Sequence, residues 1–251
     1  GSEPRLRTWL IVACVAVLAA LPFLPALRAG FVSWDDDKNF LANPDFRGLG
    51  WTQLRWMWTT VLLGHYVPIT WMTLGLDYLV WGMNAAGYHL TSVLIHSANA
   101  VMVFFLARRL LPTASDWRSG DTLAAMAAMV FAVHPLRVES VVWVTERRDV
   151  VPGFFFFAAM LTFLRWRENS RPLRWYWVTV GLYFLALLSK GTAITLPAVL
   201  LLLAVFPLRQ LGGASGWWSA QARRLYVSMI PFAIVGAGSV AVTFGALQSM
   251  P

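Results

Sequence analysis

The sequence predicts an all-α polytopic membrane protein of about seven transmembrane helices, built as a single membrane domain over residues 1–251. Three observations predict it. Hydrophobic residues make up 58% of the chain and charged residues only 13%, against about a quarter charged in soluble domains. The mean hydropathy is +0.60. Apolar runs of membrane length recur along the chain, and helices satisfy their own backbone hydrogen bonds in lipid. The alternating short segments of an outer-membrane barrel are missing from the pattern. The single cysteine, Cys14, lies inside an apolar run, so no intrachain disulfide can form.

The elements follow in chain order. The first run, Trp9 to Leu27, lacks a small-residue cleavage site and reads as a retained helix. Residues 28–86 form one long extracytoplasmic loop, with a turn signal at Asn43-Pro44-Asp45. Within it, Leu54, Met57, Trp58, Val61 and Leu62 recur at helical spacing, and Ile69 to Trp81 is similar. Both segments are short for a span and rich in Trp, so they are expected to be helices lying in the outer interface. Further spans are expected at roughly 87–107, 121–136, 150–164, 175–189, 192–207 and 225–246. The connection from Pro207 to Arg224 carries Gly212-Gly213 and Trp217-Trp218 and has room for an interfacial turn of helix.

The net charge of +8 acquires a meaning only on this topology. With the N-terminus in the cytoplasm, the cytoplasmic segments hold twelve of the 20 Lys and Arg, from Arg5 to Arg224. They hold four of the 12 acids, Glu3, Asp116, Asp121 and Glu168, which leaves eight charges of each sign outside. The whole excess is therefore inside, as the positive-inside rule requires. Basicity sets orientation here and does not imply a nucleic-acid partner. Membrane lipids are the expected surroundings, and the expected location is a bacterial inner membrane with the outer loops in the periplasm.

Four polar groups converge on the outer side. Asp35-Asp36-Asp37 directly follows the first span; adjacent carboxylates repel one another, a setting that suits a general base, while a solvated loop or helix cap is the plainer reading. His134-Pro135-Leu136-Arg137-Val138-Glu139 and Glu146-Arg147-Arg148-Asp149 join the third and fourth spans. Glu139 is expected at membrane depth, where a carboxylate needs a partner such as Arg137 or Arg147. Arg147 and Arg148 equally suit a phosphate. Lys190 divides two apolar runs, either snorkelling or facing a phosphate. Along the second span His89, Ser92, His96 and Asn99 share one helical face, which suits hydrogen bonds between helices. A zinc site would need a further ligand that the spacing does not supply. Glycine-rich phosphate loops, H-E-x-x-H and nucleophile elbows do not occur.

These residues resemble the GT-C class of polytopic glycosyltransferases, and within it the membrane part of the tetratricopeptide-containing transmembrane O-mannosyltransferases and their bacterial relatives. The matching pieces are Phe31-Val-Ser-Trp-Asp-Asp36, His65-Tyr-Val-Pro-Ile-Thr70, Leu76-Asp-Tyr, Gly87-Tyr-His-Leu-Thr-Ser, Phe131-Ala-Val-His-Pro-Leu-Arg-Val-Glu139, Glu146-Arg-Arg-Asp149 and Leu188-Ser-Lys190. They occur in family order from residue 31 to about 208. Val67 stands where the family usually has Arg, and Gly191 where it has Glu. The resemblance implies a polyprenyl-phosphate-linked sugar donor and an inverting transfer to a hydroxyl of a protein or glycolipid acceptor on the extracytoplasmic face. It implies Asp35 as the catalytic acid with Asp36 assisting, and Glu139, Arg147, Arg148, Asp149, Lys190, His89 and Tyr66 in the substrate site. A divalent metal held by Asp35 and Asp36 against the phosphate is compatible with the pattern and not required by it. The seven expected spans correspond to the shared GT-C module, without the variable C-terminal helices or the repeats. Two rivals stand beside the enzyme: a non-catalytic module binding polyprenyl phosphate or a partner membrane protein, and a transporter. The transporter fits less well, because the acids gather at one face instead of lining a path.

Overall fold

A computed structural model describes residues 3–111, 117–168 and 172–248. Asp116 and Arg171 of the charge distribution lie outside those residues. Among the described residues the chain is helical throughout and has no β-strand. Helix α1 (Glu3–Ala20) tightens into a 3-10 turn over Leu21–Arg28, where Pro22 and Pro25 interrupt the α-helical bonding. The loop carries a π-turn at Asp37–Leu41, then α2 (Trp51–Thr59) and α3 (Pro68–Trp81). Helix α4 (Ala85–Leu110) starts at Asn84, whose side chain accepts from the Ala86 amide at 3.2 Å. Then come α5 (Trp117–Val133), the short α6 (Arg137–Val142), a 3-10 turn at Val144–Glu146 and α7 (Arg147–Arg167). Helix α8 (Arg174–Leu187), a 3-10 turn at Gly191–Thr195, α9 (Leu196–Val205), α10 (Ala220–Ser228) and α11 (Ile230–Gln248) complete the chain.

Every span expected from sequence falls on helix, but the count of seven is not carried over. Four helical segments among the described residues are long and apolar enough to cross a membrane: Leu6–Arg28, Ala85–Leu110, Val144–Arg167 and Ala220–Gly245. Gly120–Val133 and Gly191–Val205 are apolar but shorter. The 14 residues of α8 extend only about 21 Å at 1.5 Å per residue, against a hydrocarbon core of about 30 Å.

Helix α4 packs against α1, α5 and α7 and is the centre of one half of the bundle. Ala124, Ala128 and Ala132, one helical turn apart on α5, are buried against Val15, Ala19, Ala100 and Phe104. Their small side chains let the backbones approach. The polar stripe of α4 bonds across these contacts: the His96 Nε2 lies 3.0 Å from the Ala132 carbonyl, and Asn99 donates to the Val150 carbonyl at 2.9 Å. Each such bond is worth about 0.6 kcal/mol in a membrane interior. The other half, α7 to α11, closes around Phe163, Tyr183, Leu196, Leu200, Leu225 and Phe232.

The loop is held by its own apolar cluster, with Phe40, Phe46, Met57, Trp71, Leu74 and Tyr88 at its centre. Gly75 in α3 makes this possible, since a Cβ there would stand 2.6 Å from the Gly48 carbonyl oxygen and 3.1 Å from that of Phe46. Charged contacts sort the ends of the bundle. At one end Asp121 meets Arg108 at 2.6 Å and Thr8 at 3.0 Å, and Arg109 meets Glu168 at 3.6 Å. The other end carries the start of α7, the end of α8 and the acidic loop.

Candidate functional site

The three adjacent aspartates have three different environments. Asp36 is fully buried. Its Oδ2 accepts from the Val32 amide at 2.9 Å, and its Oδ1 accepts from the Trp143 indole at 2.9 Å and from the amide and hydroxyl of Thr145 at 3.2 and 2.5 Å. Asn39 adds a bond to the same Thr145 hydroxyl at 3.0 Å. Asp36 therefore fastens the acidic loop to the segment that leads into α7. Asp37 is exposed and accepts from the next amide, that of Lys38, at 2.8 Å. Asp35 is partly exposed (29%), and its closest charged neighbour is Arg148, at 4.0 Å.

Replacing Asp36 by Ala removes the acceptor for four donors, two of them buried and two partly buried. Bonds to an ionised group are worth about 1.5–3 kcal/mol each, and orphaned buried donors add desolvation cost. Asp36→Ala is expected to cost on the order of 3 kcal/mol or more, read as a lowered unfolding temperature in detergent, with Asp36→Asn in between.

Around Asp35 lies a compact charged cluster. The Glu146 carboxylate accepts from Arg148 Nε at 2.9 Å and Nη2 at 2.5 Å, and lies 3.4 Å from Lys190 Nζ. Lys190 Nζ also donates to Asp149 at 2.5 Å, and Asp149 accepts from the Ser140 hydroxyl at 2.9 Å. The fold sets each member. Glu146 and Asp149 flank the first turn of α7, where a carboxylate is favoured by the helix dipole. Lys190 follows the end of α8 in an extended conformation. That turn is clamped from α3: the Ile69 amide donates to the Leu188 carbonyl at 3.2 Å and the Thr70 hydroxyl to the Ser189 carbonyl at 3.0 Å. His65 completes the cluster. Burial, and then the nearby charges of Arg148 and Lys190, hold its imidazole below the ordinary range, against the smaller opposing pull of Glu146 and Asp35.

Arg147 does not join this group. It is wholly buried; its Nη1 pairs with Asp77 of α3, its Nη2 donates to the Tyr88 carbonyl at 2.6 Å and its Nε to Ser92 at 3.3 Å. Thr91 donates to the other oxygen of Asp77 at 2.8 Å. The guanidinium is thus spent on tying α3, α4 and α7 together and turns no donor to a ligand. His89 is buried in α4 beside the backbones of Gly30 and Val142, away from open surface. Glu139 is exposed on α6 and makes no ion pair among the described residues.

One cleft borders the cluster, and another is lined by Tyr66 and Leu188, close in sequence to His65 and Lys190. The first, of about 330 Å³, runs down α7 from Asp149 and is lined by Arg137, Ser140, Gly153, Phe156, Phe157 and Thr192. The second, of about 340 Å³, is mainly apolar and is lined by Trp58, Tyr66, Phe184, Leu187, Leu188 and Val242. Tyr66 donates to the Trp58 carbonyl at 3.1 Å, and burial raises its phenol above the usual value. No group of three or more His, Cys, Asp or Glu able to hold a metal ion occurs among the described residues. Asp36 Oδ1 accepts three hydrogen bonds and Oδ2 one, so at this pair Asp35 is the carboxylate with free acceptor capacity.

No family model and no solved structure matches the sequence. Curated proteins do. The chain is 36% identical over 190 residues to Protein O-mannosyl-transferase Tmtc1 of Drosophila melanogaster, covering 72% of this chain and 21% of that protein. It is 36% identical over 213 residues to Tmtc2 of the same organism, covering 79% and 21%. Over most of its length the chain is homologous to the TMTC proteins, whose names describe them as protein O-mannosyl-transferases. TMTC4 of Homo sapiens is 28% identical over 224 residues, covering 81% of this chain and 29% of that protein. The chain thus spans about a fifth of the length of the two fly relatives. Together with its four membrane-length helices, the TMTC relationship makes it an all-helical integral membrane protein.

Within this TMTC homologue, sequence reasoning undervalued three residues. Glu146 is the hub of the cluster, bridging Arg148 and Lys190, but nothing in its local spacing distinguishes it from its neighbours. His65 reaches the cluster only because the 62–65 turn folds back on itself. Asp77 carried a usable signal: an acid inside the apolar helix α3 must find a buried partner, and Arg147 is that partner.

Proposed function

We propose that this chain is the membrane part of a glycosyltransferase that moves a sugar, mannose by its relatives' names, from a polyprenyl-phosphate carrier to a protein hydroxyl. The reading rests on one observation above the others: Asp35 is a carboxylate without a close hydrogen-bond donor, set beside two cations, Arg148 at 4.0 Å and beyond it Lys190. A general base needs an accessible, uncommitted oxygen. The transfer we propose is an inverting displacement. Asp35 takes the proton of the acceptor hydroxyl as its oxygen attacks the anomeric carbon, the bond from that carbon to phosphate breaks, and polyprenyl phosphate leaves. Lys190 and Arg148 offset the charge gathering on the departing phosphate, the contribution that usually dominates such reactions. Arg148 takes the role that the sequence alone divided between two arginines.

The apolar cleft supports a lipid-linked donor. Tyr66 and Leu188 line it, while their near neighbours His65 and Lys190 belong to the charged cluster, so a chain of isoprene units and its phosphate would find apolar and cationic surfaces side by side. We propose that the cluster faces the extracytoplasmic side, the periplasm of a bacterial inner membrane, a reading supported by the positive-inside charge pattern of the expected topology. Glu139, exposed near the cleft along α7, is proposed to meet the acceptor, either a protein or a glycolipid.

Lys190→Ala is expected to lower transfer from a polyprenyl-phosphate sugar by about a hundredfold, with Lys190→Arg retaining part of the rate. Wild-type turnover in Lys190→Ala removes Lys190 from the mechanism. A second reading, a module that binds polyprenyl phosphate and leaves catalysis to other parts of a longer chain, is favoured by the one-fifth coverage of the relatives. It predicts donor binding by the 251-residue chain with no turnover.

A further inference from the structure

The face of the bundle opposite the charged cluster carries a third cleft that the glycosyl-transfer reading does not use. Helix α7 has 21 residues and therefore spans about 31 Å between its ends. Glu146 and Arg148 sit at its first turn. At its last turn Arg167 donates to Gln210 at 2.6 Å, which fixes the 206–218 loop to the far side. That loop folds into a knot: the amides of Gln210 and Leu211 both bond back to the Ala204 carbonyl, at 2.7 and 3.2 Å, and the Ser215 hydroxyl donates to the Arg209 carbonyl at 2.6 Å. The knot encloses a cleft of about 460 Å³ lined by Phe206, Arg209, Gly212, Gly213 and Ser215.

Three properties of this region point to an anionic ligand at the membrane surface. First, no Asp or Glu occurs after Glu168, yet Arg209, Arg223 and Arg224 all lie here. They make no ion pair among the described residues, and all three are exposed. Second, Arg209 is held in the left-handed region at φ 50°, a conformation that costs a non-glycine residue about 1–2 kcal/mol and that concentrates at ligand-binding positions. Third, the knot is flanked by Trp217 and Trp218, 53% and 77% exposed. Indole rings left bare beside a basic loop belong at the lipid headgroup level.

We propose that this cleft binds the headgroup phosphate of an anionic phospholipid, with Arg209, which lines it, as the cation in contact and the exposed Arg223 and Arg224 of α10 adding to the positive field. The Trp217-Trp218 pair would lie against the glycerol and upper acyl region. A phospholipid satisfies both halves of the surface, whereas free phosphate uses only the arginines. The site is distinct from the Arg148–Lys190 cluster and its occupancy does not depend on sugar transfer.

The test is native mass spectrometry of the 251-residue chain released from mixed micelles of phosphatidylglycerol and phosphatidylcholine at equal concentration. Retention of phosphatidylglycerol on the order of tenfold over phosphatidylcholine is expected, since each basic residue at a lipid surface contributes measurably to anionic-lipid attraction. The triple variant Arg209→Gln, Arg223→Gln, Arg224→Gln is expected to bring retention to parity with an unchanged unfolding temperature in phosphatidylcholine micelles. Equal retention by the wild type overturns the proposal. So does a preference that survives in the triple variant, or one that disappears instead in Arg148→Gln, Lys190→Gln. Complete displacement by millimolar inorganic phosphate would likewise show a free-anion site and not a lipid one.

Discussion

Asp35→Asn is expected to reduce sugar transfer by a factor of about 10² to 10⁴, the usual contribution of a positioned general base, while leaving the unfolding temperature close to that of the wild type. The two halves of this expectation come from the same geometry. Asp35 accepts no short side-chain bond, and its single ion contact is the 4.0 Å approach to Arg148. Partly exposed ion pairs of that kind contribute about 0–1 kcal/mol, so amide for carboxylate has little to unfold. The amide cannot take a proton, so the attacking hydroxyl keeps it. Donor binding measured alongside separates base from ligand: affinity should hold within a few-fold while turnover falls. Transfer at the wild-type rate in Asp35→Asn would dismiss it as the base.

Arg147→Ala is expected to have the largest effect on stability. The guanidinium serves Asp77, Ser92 and the Tyr88 carbonyl, and it is 0% exposed. Deleting one partner of a buried ion pair typically costs about 3–5 kcal/mol, because the other charge stays buried without compensation. Here the stranded group would be Asp77, with only Thr91 left as donor. Asp77→Asn should be milder, since the amide oxygen still accepts from Arg147 while its NH2 faces the Thr91 hydroxyl, which can turn to accept. Thermal unfolding in detergent distinguishes the two. The double variant Asp77→Leu, Arg147→Leu should recover much of the loss by removing both charges together. If Arg147→Ala instead melts like the wild type and fails only in donor binding, then this arginine belongs to the ligand site.

Much of the helical order was legible, and the reasons are physical. Apolar runs in a bilayer admit few alternatives to helix, so the segments at 87–107 and 150–164 could be placed closely within α4 and α7. The polar stripe on α4 was readable because a helix puts Ser92, His96 and Asn99 on one side. Span number was not readable in the same way: hydropathy reports that α8 and α9 are apolar, but not whether they reach both surfaces. At the site, the acids of residues 35–37 are identical in composition, and only tertiary contacts separate them. Asp36 is buried by Trp143 and Thr145, more than a hundred residues away in sequence. Arg147 and Arg148 are adjacent, and successive residues of a helix point about 100° apart, so one enters the bundle and the other the cluster. Sequence could see the pair but not which member faced inward.

The bonds from Ile69 and Thr70 to the Leu188 and Ser189 carbonyls have a consequence for coupling. They join the segment that carries His65 and Tyr66 to the turn that carries Lys190, across 119 residues of chain in the case of Thr70 and Ser189. On the proposed reading, these bonds link the apolar wall at Tyr66 mechanically to the cation at Lys190. A carrier that wedges its tail against Tyr66 would reset the position of the ammonium group without touching it. Tail length would then be read out as reaction rate as well as affinity.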